Sequence, residues 1–100
     1  MNKVAIYTIA KNEEQHVERF MSTAKEADYI IVLDTGSTDN TVEELRKRGA
    51  TVHQKEIKPW RFDTARNEAL KLVPSDANIC VSIDIDEVFE EGWAKNLRRI

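Results

Sequence analysis

The stretch Tyr29-Ile30-Ile31-Val32-Leu33-Asp34-Thr35-Gly36-Ser37-Thr38-Asp39-Asn40-Thr41 decides how the chain folds. It opens with an apolar run that does not alternate, the pattern of a strand buried on both faces of a parallel sheet. The run ends on Asp34. Gly36 to Asn40 then form a turn cluster, and a cap there opens a helix through Val42 and Leu45 that Gly49 stops. Outward from this strand-turn-helix unit, Lys3 to Ile9 reads as a β-branched strand. Asn12 follows as a helix N-cap, with Glu13 and Glu14 in the positive first turn and Val17, Phe20, Met21 and Ala24 on one face. On the other side, Ala50 to Lys55 is a weaker third strand. Phe62 to Val73 is a helix with Ala65, Ala69, Leu72 and Val73 on one face, closed by Pro74, and Asn78 to Ile85 is a fourth strand. Phe89, Trp93, Leu97 and Ile100 fall at helical spacing, so the chain reads as the front part of something longer. The alternation predicts one domain over residues 1–100, a three-layer α/β/α Rossmann-like unit with a mostly parallel sheet of about four strands.

Composition narrows the class. At 100 residues, 41% hydrophobic and 33% charged, the chain suits one soluble globular domain and has too much apolar content for disorder. The apolar run Tyr29 to Leu33 is far short of the ~20 residues that span a bilayer. The amino terminus also lacks a signal-peptide pattern, so no transmembrane segment and a cytoplasmic location are expected. The single cysteine, Cys80, forbids an internal disulfide and a cysteine-rich zinc site, and it reads as a small apolar filler in a buried strand. A net charge of −3 argues against a nucleic-acid partner.

Ligands of open parallel sheets bind beyond the carboxyl ends of the strands, and three of the four ends here are polar. They are Lys11-Asn12-Glu13-Glu14, Asp34-Thr35-Gly36-Ser37 and Asp84-Ile85-Asp86-Glu87. With strand alternation, Asp84 and Asp86 share a face and can converge on one divalent ion, with Glu87 beside them. A solvated acidic strand end is the other reading of the same residues. Asp34 is either a turn aspartate satisfied by the amides of Thr35 to Ser37 or an acceptor for a base N–H. Arg66 either pairs with Asp63 or Glu68 at the surface or reaches a diphosphate in a forked geometry. Trp60 and Phe62 beside Pro59 are expected to anchor a loop in the core, stacking on a base or sugar being the other possibility. His16 and His53 have no partner at ligand spacing. There is no GxGxxG turn, GxSxG elbow or glycine-rich phosphate loop.

Taken together, four segments resemble the nucleotide-sugar-binding half of the family 2 glycosyltransferases, in the family's own order. They are Thr8 to Glu14, Val32 to Thr41, Ala65-Arg66-Asn67, and Ile83-Asp84-Ile85-Asp86-Glu87. The version with Trp60 ahead of Asp63 and Ala65-Arg66-Asn67 looks most like the branch often fused to tetratricopeptide repeats. The resemblance implies an A-type glycosyltransferase fold and a metal-dependent, inverting transfer from a nucleotide-diphosphate sugar, by family habit a UDP-sugar. The acceptor, whether glycan, lipid or peptide, is not readable. Ile9, Ala10, Lys11 and Glu13 would hold base and ribose, and Asp34 would accept the uracil N3–H. Arg66 would contact base or diphosphate, Asp84 would face ribose or metal, and Asp86 would ligate Mn²⁺ or Mg²⁺. Thr35, Lys11 and Glu87 stand where many relatives carry aspartate, tyrosine and aspartate. The catalytic base would lie outside this chain.

Two rival readings start from the same residues. Ile83 to Val88 also fits the DxDx[TV] pattern of haloacid-dehalogenase-like phosphatases, with Asp84 as nucleophile and Asp86 as acid–base, but that family places this strand first in its domain and here it comes last. The other is a non-catalytic nucleotide-binding module.

Overall fold

A computed structural model describes residues 2–99. The elements run β1 Val4–Ala10, α1 Glu14–Ala24, β2 Tyr29–Asp34, α2 Thr41–Lys47, β3 Thr51–Gln54, α3 Phe62–Lys71, β4 Ile79–Ser82 and α4 Trp93–Arg98. The four strands form one sheet in the order β3-β2-β1-β4, every pairing parallel. That is the expected α/β class, and the run from Ile30 to Thr35 is buried throughout, as its lack of alternation predicts.

Period-two alternation divides the sheet into two faces. Ile6 and Ala10 of β1, with Ile30 and Val32 of β2, pack into a core with Val17, Phe20, Met21 and Ala24 of α1 and Leu45 of α2. Ala5, Ile31 and Leu33 point the other way. There α3 lies over β1 and β2 and presents Ala65 and Ala69, both fully buried. Alanines on the inner face of α3 let that helix approach the sheet closely and fix where its polar residues project.

The later part of the chain departs from expectation in three ways. β4 ends at Ser82 rather than Ile85, and Asp84 to Glu87 form a turn closed by the Glu87 N–H on the Asp84 carbonyl at 3.0 Å. Cys80 is exposed, not buried, because its side chain shares the α3 face of the sheet and α3 covers β1 and β2 but not β4. Helical spacing from Phe89 to Ile100 is realised only as Trp93–Arg98. Phe89 sits before the helix and stacks on Trp93 at 4.0 Å between centroids, while Ile100 lies outside the described residues.

The return segment is pinned to α1. Glu26 accepts from the Gly92 and Ala94 N–H groups, and the Trp93 indole N–H donates to the Thr23 carbonyl at 2.8 Å. Arg98 reaches both the Glu26 carbonyl and Asp28, each at 2.9 Å. At the amino-terminal edge of the sheet, Asp28 also accepts the Val4 N–H, and Asp76 takes Lys3 and the Tyr29 hydroxyl. These ties close the edge of the sheet opposite the polar strand ends.

Candidate functional site at the carboxyl edge of the sheet

The polar strand ends converge. A cleft of about 610 Å³ opens at the carboxyl edge, and Ile9, Lys11 and Glu13 from the end of β1, Arg66 from α3, and Asp84 and Asp86 after β4 all line it. Thr35, at the polar end of β2, lines it too, as do Tyr7 and Ile57, which the sequence did not single out. Tyr7 was legible, since it shares its strand face with Ile9. Ile57, which follows β3, carries no local pattern that announces it.

Two of the residues singled out from sequence do not reach the cleft wall. Ala10 is buried, and its carbonyl accepts the Thr35 N–H at 3.0 Å, the hydrogen bond that carries the β1–β2 pairing into the loop. Asp34 is only 1% exposed. Its carboxylate accepts the Gly36 N–H at 3.2 Å, the Ser37 N–H at 3.0 Å and the Ser37 hydroxyl. Of a carboxylate's roughly four acceptor positions, three are filled by its own loop.

That loop is stitched to the turn after β1. The Asn12 N–H donates to Ser37 Oγ at 2.8 Å, and Asn12 Oδ1 accepts the Thr38 N–H at 2.7 Å. Glu13 N–H donates to Thr41 Oγ1 at 2.9 Å, the Glu14 N–H donates to Asp39 at 3.4 Å, and the Glu14 carboxylate accepts the Asn40 N–H at 3.2 Å. Asp39 also accepts the Thr41 N–H and hydroxyl, and the hydroxyl bond holds its carboxyl below the ordinary carboxylate range. Asn12 is therefore not the N-cap of α1. The cap position is Glu13, with no side-chain cap bond, and Asn12 stands at φ 53°, a left-handed conformation that asparagine tolerates better than most residues.

Arg66 is free of the surface ion pairs open to it. Asp63 takes Arg61, which lowers its carboxyl pKa, and Glu68 takes Lys55 and Lys71. The Arg66 guanidinium lies over the Phe62 ring at 4.6 Å from its centroid, a cation–π contact, and Arg66 lines the cleft. Trp60 and Phe62 are 55% and 48% exposed on the cleft wall, which corrects the expected core anchoring. The segment after β3 instead buries Ile57 and turns its aromatics outward.

Asp84, Asp86 and Glu87 bring one carboxylate oxygen each within 4.8 Å of one another, all three side chains exposed. They converge by a turn and not by sharing a strand face. Ile85 between them is buried and anchors that turn, Glu87 accepts the Asp84 N–H at 3.3 Å, and Arg19 of α1 donates to the Asp86 carbonyl at 3.1 Å. Three hard oxygen donors this close suit a divalent cation such as Mg²⁺ or Mn²⁺ and repel one another without positive charge nearby. Among the described residues no other acidic or histidine cluster has this geometry. His16 contacts Gln15 and Glu13, and His53 is exposed on β3.

A parallel sheet that gathers an unpaired arginine and a carboxylate trio at its carboxyl edge defines an α/β protein whose candidate site lies where open sheets of this class bind ligands. Within that class the chain belongs to glycosyl transferase family 2, whose family model matches residues 5–99. An uncharacterized glycosyltransferase of Rickettsia typhi is 39% identical over 61 residues, 60% of this chain and 20% of the relative. A TPR repeat-containing protein of Synechococcus elongatus is 30% identical over 98 residues, 95% of this chain and 23% of that one, in accord with the tetratricopeptide-fused branch. The chain thus spans about a fifth of the length of these relatives.

Solved structures agree on the fold. S. aureus TarS (residues 1–349) superposes with a TM-score of 0.80 at 22% identity, over 97% of this chain and 31% of that chain. Mycobacterium tuberculosis glucosyl-3-phosphoglycerate synthase in complex with Mg²⁺ and uridine diphosphate gives 0.66 at 27% identity, over 87% and 34%. No described helix is long and apolar enough to cross a membrane.

Proposed function

We propose that residues 1–100 form the donor-binding part of a glycosyltransferase that takes a sugar from a nucleotide diphosphate, by preference a UDP-sugar, with a divalent cation and inversion at the transferred carbon. The observation that carries this reading is the cleft at the carboxyl edge that Arg66 and the Asp84–Asp86 turn line together. The mycobacterial relative's complex with Mg²⁺ and uridine diphosphate supports both donor class and metal. Mn²⁺ is an equal candidate, since the same enzyme has been solved with it. The working compartment is the cytoplasm, and the acceptor is left open among glycan, lipid and peptide.

In this reading Asp86, with Asp84 beside it, holds the cation, which when bound offsets the charge of the diphosphate leaving group as a Lewis acid. Glu87 steadies the turn through the Asp84 N–H. Arg66 meets diphosphate or base with its forked donors, pre-aimed by Phe62. Ile9, Lys11 and Glu13 form the floor for base and ribose, and Ala10 acts by holding Thr35 against that floor. Asp34 has one acceptor position left for a base N–H; its larger task is to hold the loop that shapes the pocket. A base to deprotonate the acceptor hydroxyl is assigned to residues outside this chain.

Calorimetric titration with UDP in the presence and absence of Mn²⁺ tests the reading. Saturable binding that requires the metal and is lost in Asp86→Ala supports it; UDP affinity that ignores both metal and Asp86 contradicts it. The phosphatase alternative predicts metal-dependent release of phosphate from an aryl phosphate, and its motif would sit on the first strand rather than after the fourth as here.

A further inference from the structure

We infer that the Trp60 indole is the stacking surface for the donor's nucleobase, an assignment that rests on the nucleotide-sugar reading above. An indole more than half exposed is costly to leave in water, and Trp60 is placed on the wall of the cleft and not on the open surface. The other aromatic beside it is already engaged: the Phe62 ring carries the Arg66 guanidinium at 4.6 Å, so one of its faces is closed to a base. Among the described residues Trp60 makes no ring contact, unlike Trp93, which stacks on Phe89 and donates its N–H to the Thr23 carbonyl.

Position along the cleft favours the base over the sugar. The carboxylate trio follows β4 at one side of the sheet, whereas Trp60 lies in the segment that leaves β3 at the other side. Four strands separated by ~4.8 Å span about 14 Å, so a nucleoside diphosphate with its phosphates at the Asp84–Asp86 turn extends its base toward Trp60. The strand-one turn offers Lys11 there, which has no aromatic face, and Ile9, which supplies apolar contact only. Of the other aromatics on the cleft, Tyr7 is half-buried in β1 and Phe62 carries Arg66, so Trp60 is the one more than half exposed.

The test is a pair of calorimetric titrations in Mn²⁺, with UDP and with inorganic pyrophosphate, on the parent chain, Trp60→Ala and Trp60→Phe. Base stacking predicts that Trp60→Ala weakens UDP about 10-fold or more and leaves pyrophosphate within about twofold, with Trp60→Phe recovering most of the loss. UDP should also quench the parent's tryptophan fluorescence, and Trp60→Phe should abolish that quenching while Trp93 still emits. Equal losses for UDP and pyrophosphate in Trp60→Ala, or unchanged UDP affinity, overturn the stacking role and leave the donor-site reading intact. A parent that binds pyrophosphate and UDP equally overturns it too. A folded parent that binds neither overturns the donor-site reading itself, and the stacking role with it.

Discussion

Asp34 and Asp86 look alike in the sequence, each an aspartate at the end of an apolar strand, and the structure gives them opposite work. Asp34 is buried and accepts three hydrogen bonds within its own loop, so Asp34→Ala leaves two backbone N–H groups without their partner. A loss of roughly 2–4 kcal/mol in denaturant unfolding is expected. Asp86 is exposed and shares a small volume with two like charges. Asp86→Asn should leave stability unchanged or slightly raised, because it relieves repulsion, and should weaken metal-dependent UDP binding at least 10-fold. Measuring both quantities on both variants separates scaffold from ligand contact. The turn-aspartate role of Asp34 was one of its two readings from sequence, and the Gly36 and Ser37 amides fill it; its burial was not legible, since that depends on how Gly36 and Ser37 fold back, and Gly36 does so at φ 131°, where a side chain would be strained.

At the scale of elements, the motif segments after β1 and β2 act as one interlocked pair of loops. Asn12 is the joint: it donates to Ser37, accepts from Thr38 and holds a left-handed backbone. Asn12→Ala should cost about 2 kcal/mol, from loss of the Oδ1 that accepts the Thr38 N–H and hydroxyl and from strain at positive φ, with the backbone N–H bond to Ser37 retained; Asn12→Gly keeps the backbone relaxed and loses less. Thermal unfolding of the two variants checks that order, and equal losses would remove the strain component. Strand and helix identities, their order and the buried face of α1 followed from periodicity, because Val17, Phe20, Met21 and Ala24 sit at one helical stripe and nothing competes with it. The early stop of β4, the turn that gathers Asp84, Asp86 and Glu87, and the outward aromatics at Trp60 and Phe62 did not. Each depends on a tertiary neighbour: Ile85 burying, Ile57 burying, and α3 leaving β4 uncovered.

Across the whole molecule the two edges of the sheet divide the labour. The amino-terminal edge is sewn shut by charged pairs, and the carboxyl edge is left open as the cleft. Asp28 illustrates the first: the hydrogen bond from Arg98, then that from the Val4 N–H, hold its carboxyl below the ordinary range. A carboxylate depressed in the folded state contributes stability above its unfolded pKa of about 3.9 and loses it as pH falls through the lower folded value. The stability difference between parent and Asp28→Asn should therefore be full near about pH 7 and shrink below about pH 4; a difference independent of pH would show that Asp28 acts by packing alone. The division of edges was itself readable from three polar strand ends, on the condition that the sheet be parallel, and the pairings of all four strands meet that condition.

Every role proposed for these residues requires that this edge hold a nucleoside diphosphate with its phosphates at the Asp84–Asp86 turn. Amide NMR of the labelled chain tests it most directly, with UDP added in Mg²⁺ and trace Mn²⁺ then used to broaden resonances near the ion. Metal-dependent shifts are expected at Ile9 to Glu13, Thr35, Trp60 and Arg66, with Mn²⁺ broadening centred on Asp84 to Glu87. Shifts that leave those residues unmoved, or broadening centred on another acidic surface such as Glu14, Glu18 and Glu44, would contradict it.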